Sequence, residues 1–129
     1  MNTISITSTA STPAVYFNPS KGIFQMKGRS SPENTPAFYS GLKTALASTQ
    51  TVENLDVKIC LEYFNTSSSK ILFDIFRQLK SIKENGRDVN IKWFYEEYDE
   101  DMLEAGEDYS DILNLPFSFI EYHPHLQSA

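Results

Sequence analysis

Two adjoining stretches of the sequence decide the fold. The first is Leu55–Phe64 (LDVKICLEYF), in which apolar and polar side chains alternate. A period of two residues is typical of a strand with one face on a core and the other near solvent. The second runs from about Ser67 to Glu84, where apolar side chains recur at the spacing of an amphipathic helix. The strand face comprises Leu55, Val57, Ile59, Leu61 and Tyr63, and the helix stripe comprises Ile71, Leu72, Ile75, Phe76, Leu79 and Ile82.

Further strands and helices alternate on both sides of this pair. Strands are predicted at Ala14–Phe17, Ile23–Lys27, Val89–Tyr95 and Leu115–Ile120. Helices are predicted from Pro36 to about Ser48 and, in a shorter form that Gly106 interrupts, around Met102 and Leu103. The resulting order, β-β-α-β-α-β-α-β, predicts one α/β domain with a mixed sheet. Its opening β-hairpin is followed by parallel strands that the helices connect.

This single domain is predicted to occupy residues 12–122. Residues 1–11, rich in Ser and Thr, are expected to form a loosely ordered N-terminal tail, and residues 123–129 a C-terminal tail. The N-terminus has neither the basic nor the apolar region of a secretory signal, and no apolar run reaches the ~18–20 residues that span a bilayer. With Cys60 as its single cysteine, the chain is expected to be cytoplasmic.

The charge of the chain excludes two classes of partner. Its net charge is −6, from 17 acidic and 11 basic residues. A surface of that sign repels phosphate backbones and anionic lipids, so we expect no nucleic acid and no membrane as partners. Much of the excess lies between Glu96 and Asp111, a segment that we interpret as a solvated face or as a patch for a basic partner. It lacks the spacing of a calcium-binding EF-hand loop.

The junction Asn65–Lys70 (NTSSSK) is the candidate functional site. Small polar side chains stand here where the predicted strand ends and the helix begins, the edge at which ligands and partners bind α/β sheets. A helix N-terminus also favours an anion such as phosphate. The structural alternative is helix capping, for which Asn, Ser and Thr are the preferred residues. One cap explains one polar side chain and leaves the others available to a partner or a modifying enzyme.

Other candidate chemistry is weaker. His123 and His125 offer two imidazoles for a metal, and we interpret them as part of a solvated tail, with no metal or cofactor expected. Cys60 is interpreted as a small buried or half-buried thiol, because no histidine or basic neighbour in sequence indicates its activation. The chain contains no glycine-rich phosphate loop, nucleophile elbow, HExxH pair or CxxC pair, so we expect no catalytic residues and no enzyme.

Several short motifs, taken in order, resemble one known family. They are Ser11–Ala14, Pro32–Asn34, Tyr63–Ser68, Trp93–Tyr95 with the acidic segment behind it, and Leu115–Phe117. Their order and spacing are similar to those of the SiaC family of bacterial regulatory phosphoproteins, over residues from about Ser11 to Tyr122. The resemblance implies a fold akin to STAS domains and anti-sigma-factor antagonists.

The resemblance also implies a function and its residues. In this family a kinase and a phosphatase add and remove one phosphate, and the unphosphorylated form binds and activates a diguanylate cyclase. The phosphorylated position corresponds to Thr66, with Ser67 and Ser68 as adjacent alternatives. Asn65, Thr66, Ser67, Ser68 and Lys70 are then the expected partner-binding residues. The alternative function is a module that binds a small anion or nucleotide at the same helix N-terminus.

Overall fold

A six-stranded mixed sheet, with its strands side by side in chain order, forms one layer of the structure. The computed structural model describes residues 3–48 and 53–123. The strands are β1 (Ile4–Ile6), β2 (Ala14–Asn18), β3 (Ile23–Ser30), β4 (Asn54–Phe64), β5 (Asp88–Glu96) and β6 (Phe117–Tyr122). The helices are α1 (Thr35–Ser48), α2 (Thr66–Glu84) and α3 (Glu100–Leu113). Strands β1 to β3 are antiparallel, and β3 to β6 are parallel.

The predicted alternation of strands and helices is confirmed, and the structure adds one strand to it. Ile4–Ile6 lies in the stretch expected to be a loose tail and instead forms the edge strand β1, with Ile4 opposite Phe17 and Ile6 opposite Val15. The tail prediction is wrong for these three residues because both isoleucines pack, partly buried, against the core. At the other end, His123 is described, and residues 124–129 lie outside the described residues.

The core lies between the helices and one face of the sheet. Its fully buried side chains include Phe17, Phe24, Met26, Leu55, Val57, Ile59, Leu61, Ile75, Phe76, Leu79, Ile91 and Trp93. Each strand contributes every second residue, as the period of two predicts. Ile71, from the predicted helix stripe, packs against this core while remaining partly exposed. The opposite face of the sheet carries polar side chains such as Lys58 and Glu62, so the sheet is covered by helices on one side.

A β-bulge near the end of β4 changes the face that its last residues occupy. Gly28 pairs with Leu61 and Arg29 pairs with Tyr63, so one residue of β4 is left unpaired between them. The extra residue reverses the alternation. Tyr63 is therefore 43% exposed, which contradicts its predicted place on the core face, whereas Phe64 packs edge-on against Trp93 at 6.4 Å between ring centroids.

Helix α3 is continuous through Gly106, so the predicted interruption there is wrong. Gly106 is buried against the indole of Trp93, and a Cβ atom at this position would lie 2.6 Å from the indole Cδ1 and Nε1 atoms. The indole Nε1–H donates a hydrogen bond to the carbonyl of Met102, 2.9 Å away. Gly106 thus allows the helix to approach the ring closely.

No helix in the described ranges is long and apolar enough to cross a membrane.

We predict opposite effects of alanine at the two helical glycines. Gly106→Ala should lower the free energy of unfolding, because overpacking costs about 1–3 kcal/mol and exceeds the roughly 1 kcal/mol by which alanine favours a helix over glycine. Gly41→Ala, on an exposed position of α1 where a Cβ meets nothing within 4 Å, should raise it. Urea denaturation of both variants measures the difference. Equal stability of the two variants would contradict the close approach of α3 to Trp93.

Candidate functional site: the start of helix α2

Asn65 caps helix α2. Its backbone is extended, with φ −84° and ψ 179°, and its side-chain Oδ1 accepts a hydrogen bond from the Ser68 N–H at 2.8 Å. Its carbonyl accepts the first helical hydrogen bond, from the Ser69 N–H at 2.9 Å. An N-cap of this kind contributes about 0.5–2 kcal/mol to stability. The capping role that the sequence left open among several polar residues therefore belongs to Asn65.

The Ser68 side chain belongs to a buried chain of hydroxyl groups. Ser68 is 0% exposed, as is Ser30 at the end of β3. The Ser68 Oγ donates to the Ser30 carbonyl at 2.9 Å and lies 2.8 Å from the Ser30 Oγ, which in turn lies 2.5 Å from the Tyr39 hydroxyl of α1. Each proton is used once if Tyr39 donates to Ser30 and Ser30 donates to Ser68. Burial raises the pKa of Tyr39 to about 12, so this donor stays protonated.

Ser69 ties the same turn to helix α3. The Tyr109 hydroxyl donates to the Ser69 carbonyl at 2.9 Å, and the Ser69 Oγ lies 3.0 Å from the Tyr109 oxygen. Burial raises the pKa of Tyr109, which keeps its proton available for this bond. The first turn of α2 is thus bonded directly to β3 and α3, and through Ser30 to α1.

Thr66 and Ser67 are the two hydroxyl side chains of this turn that stay exposed. They occupy the first two positions of α2, directly after the cap, and Lys70 is exposed one turn further along from Thr66. A side chain at this end of a helix lies next to backbone N–H groups that the helix leaves unpaired. Chemically the pair offers two accessible hydroxyl groups in a field that favours negative charge.

The other sequence candidates lie elsewhere in the structure. The His123 Nδ1 is 2.6 Å from the Glu97 Oε2, and its Nε2 is 3.2 Å from the Glu121 Oε2. The hydrogen bond with Glu97 raises the pKa of His123. His125 lies outside the described residues. Cys60 is half-buried, and burial raises the pKa of its thiol, as is typical of an unreactive cysteine.

Comparison with known proteins identifies the family. The family model described as "SiaC family regulatory phosphoprotein" matches residues 6–122. The chain belongs to this family. An uncharacterised protein of Pseudomonas aeruginosa (strain UCBPP-PA14) is 31% identical over 122 residues, which are 92% of this chain and 95% of that protein.

Solved structures of the SiaC family share the fold. SiaC of Pseudomonas aeruginosa matches with a TM-score of 0.85 at 27% identity, over 95% of this chain and 100% of that one. A chain in the structure of the diguanylate cyclase SiaD in complex with its activator SiaC, from the same organism, matches with a TM-score of 0.84 at 28% identity. That match covers 92% of this chain and 99% of the other. The predicted mixed α/β fold is confirmed, and the likeness to STAS domains stays a prediction.

We expect the serines of this turn to differ sharply in their effect on stability. Ser68→Ala removes two buried hydrogen bonds, one that Ser68 donates to the Ser30 carbonyl and one that it accepts from the Ser30 hydroxyl, and leaves that hydroxyl with Tyr39 alone. The loss should cost about 1–3 kcal/mol. Ser67→Ala, at an exposed position, should stay within about 0.5 kcal/mol of wild type. Thermal denaturation of both proteins is the measurement. A Ser68→Ala variant as stable as Ser67→Ala would argue against the buried hydroxyl chain.

The ion pair of His123 predicts a pH dependence. Because the folded protein raises the pKa of His123, the pair stabilises the fold fully below the unfolded pKa of about 6.5 and loses this effect as the pH rises through the folded value. NMR titration should place the pKa of His123 above about 6.5. Glu97→Gln should lower it more than Glu121→Gln does, since the hydrogen bond with Glu97 is the main cause of the shift. The reverse order would refute this assignment.

Proposed function

We propose that this protein is a phosphorylation-controlled interaction module that binds and activates a diguanylate cyclase while unphosphorylated. A Ser/Thr kinase and a phosphatase set its state, and the protein acts in the cytoplasm by binding rather than by catalysis. Membership of a family of regulatory phosphoproteins supports the phosphate. The solved complex in which SiaC is the activator of the cyclase SiaD supports the partner.

The observation that carries the proposal is that the polar side chains at the start of α2 have different roles. Asn65 provides the cap and Ser68 is wholly buried, whereas Thr66 and Ser67 make up an exposed pair. A kinase must bring its γ-phosphate within bonding distance of the hydroxyl, which burial prevents at Ser68. We therefore propose Thr66 as the phosphorylated residue, in agreement with the position that the family resemblance implies, and Ser67 as the alternative.

A phosphate on Thr66 would change the surface and leave the fold intact. It brings about −1.5 to −2 charges and three strong acceptor oxygens. The helix N-terminus stabilises that charge, and Lys70 is near enough in sequence, at i+4, to pair with it. The cap of Asn65 and the hydroxyl chain of Ser68 do not use the Thr66 side chain. The modification therefore acts directly on whatever binds Thr66.

The unphosphorylated edge suits a partner that buries Thr66. An interface packed against a threonine hydroxyl and methyl has no space for a phosphate, and a dianion loses its hydration when a partner covers it. Asn65 and Ser67 adjoin Thr66 in the chain, and Lys70 lies one helical turn further along, so they would contribute polar contacts of the same interface. Ser68, which is buried, would act through the position of the turn. Adding the phosphate thus weakens binding without any refolding.

Three variants test this function. Thr66→Ala should resist labelling by the cognate kinase and still bind and activate the cyclase, and its stability should stay near that of wild type because Asn65 retains the cap. Thr66→Asp should weaken cyclase binding, although one carboxylate mimics a phosphate incompletely. Ser67→Ala is the matched control and should be labelled like wild type. Kinase labelling, cyclase binding and cyclic di-GMP synthesis are measured for each.

The outcomes separate the alternatives. Loss of labelling in Ser67→Ala but not in Thr66→Ala would identify Ser67, and not Thr66, as the phosphorylated residue. Unchanged labelling and binding in every variant would refute the switch and leave these hydroxyls as ordinary helix-start residues. Mass spectrometry of protein from its own cells completes the test, because a copurified small anion without any phosphate on Thr66 would favour a ligand-binding module.

A further inference from the structure

Tyr98 is the most exposed large apolar side chain in the described part of the molecule. Its side chain is 89% exposed, compared with 70% for Ile112 and 43% for Tyr63. It lies in the turn between β5 and α3, which the Asp99 N–H closes by donating to the Glu96 carbonyl at 2.9 Å. An aromatic ring held in water in this way loses the stabilisation that burial would provide.

Neither the backbone nor the core explains a tyrosine at this position. The φ angle of Tyr98 is +69°, in the left-handed region where glycine or asparagine is the usual residue at the third position of a turn. A bulky residue is disfavoured there, and the exposed ring contributes little to packing. The Tyr98 hydroxyl donates a hydrogen bond to the Glu97 carboxylate. This contact leaves the ring itself in water, so a partner outside the described fold accounts best for the ring.

Tyr98 shares an edge of the sheet with the proposed phosphorylation site. Strands β4 and β5 are parallel neighbours, with Cys60 opposite Phe94. Thr66 follows the last residue of β4 by two positions, and Tyr98 follows the last residue of β5 by two positions. Neighbouring strands lie about 4.8 Å apart, so both residues stand at the carboxyl edge, one on each of two adjacent chain exits. A partner that covers this edge over the ~800 Å² of an ordinary interface would contact both Thr66 and Tyr98.

The charges around Tyr98 define the chemistry of the partner. Glu96, Glu100 and Asp101 are exposed beside it. In the described ranges, the ion pairs join Lys43 to Asp74 and His123 to Glu97 and Glu121, so these three carboxylates face solvent without one. An aromatic ring with an acidic surround is complementary to an apolar recess with a basic rim.

We propose that Tyr98 is the aromatic anchor of the cyclase interface, inserting into an apolar recess that Lys and Arg side chains of the cyclase surround. This inference rests on the function proposed above and adds a contact residue to it. Tyrosine is enriched among the few residues that dominate interface energetics. The acidic surround mainly speeds association from a distance, whereas the phosphate on Thr66 acts at contact, where its lost hydration outweighs a favourable long-range field.

The test uses Tyr98→Asn, because asparagine tolerates a positive φ and the variant should melt at or above the temperature of wild type. Each purified diguanylate cyclase of the source organism is titrated with unphosphorylated wild-type protein and with the variant. Tyr98→Asn should raise the Kd by at least about tenfold and reduce cyclase activation in parallel. Tyr98→Phe, which keeps the ring, should stay within about threefold of wild type. Ile112→Asn, which removes an exposed apolar side chain at the far end of α3, is the matched control and should bind as wild type does.

A kinetic measurement tests the charge of the partner separately. The double variant Glu100→Gln/Asp101→Asn should associate more slowly at low salt, with little change in the dissociation rate, and the difference should shrink as salt is added. Equal association rates of the double variant and wild type at low salt would overturn the proposal that basic side chains surround the recess of the cyclase.

The results distinguish this inference from the function on which it rests. Binding of wild type together with Tyr98→Asn binding within threefold of it would overturn the anchor and leave the proposed function standing. Failure of every cyclase to bind wild-type protein would overturn both. Weaker binding of Tyr98→Asn with unchanged binding of Ile112→Asn, in two variants that melt like wild type, is the result expected.

Discussion

The buried hydroxyl chain from Tyr39 through Ser30 to Ser68 is the interaction on which the candidate site depends. It joins helix α1, the end of β3 and the first turn of α2 within the core, where an unpaired hydroxyl costs about 1–3 kcal/mol. The Asn65 N–H also donates to the Ser30 carbonyl, at 3.0 Å, so strand and helix are fixed to one acceptor. These hydrogen bonds fix the start of α2 in place. The exposed hydroxyl groups of Thr66 and Ser67 therefore lie on a rigid turn.

The bulge in β4 fixes the end of the strand that precedes the site. By leaving one residue unpaired, it turns Phe64 inward onto Trp93 and Tyr63 outward beside Arg29, whose guanidinium carbon lies 5.0 Å from the Tyr63 ring centroid. Trp93 also contacts Tyr109 of α3, at 5.8 Å between ring centroids. The aromatic cluster thus anchors the strand end from below, while the hydroxyl chain anchors the helix start, and both act within a few residues of Thr66.

The periodic elements of this fold, its strands and helices, can be predicted from the sequence, whereas its local irregularities cannot. Periods of two and of 3.6 residues predict the strands and helices because burial on one face imposes them. Strand β1 is too short to show a period, and its two isoleucines gain a partner only when β2 is in place. The bulge is an exception of one residue, which alternation cannot reveal. Asn65, Ser67 and Ser68 are all polar residues that can cap a helix. Only the hydrogen bond from the Ser68 N–H identifies Asn65 as the cap, and only burial distinguishes Ser68 from the exposed Ser67.

The rigidity of this edge would make a single phosphate at the proposed site sufficient for control. A tenfold change in affinity requires about 1.4 kcal/mol, and covering a phosphate without partners exceeds that. On a mobile loop, part of this energy would be relieved by moving the modified residue away from the partner. Here hydrogen bonds that involve Ser30, Tyr39 and Tyr109 hold the turn in place, so moving Thr66 away from a partner would break buried hydrogen bonds. The free-energy cost of covering a phosphate on Thr66 would therefore weaken binding to the partner, and the fold beneath it would not need to change.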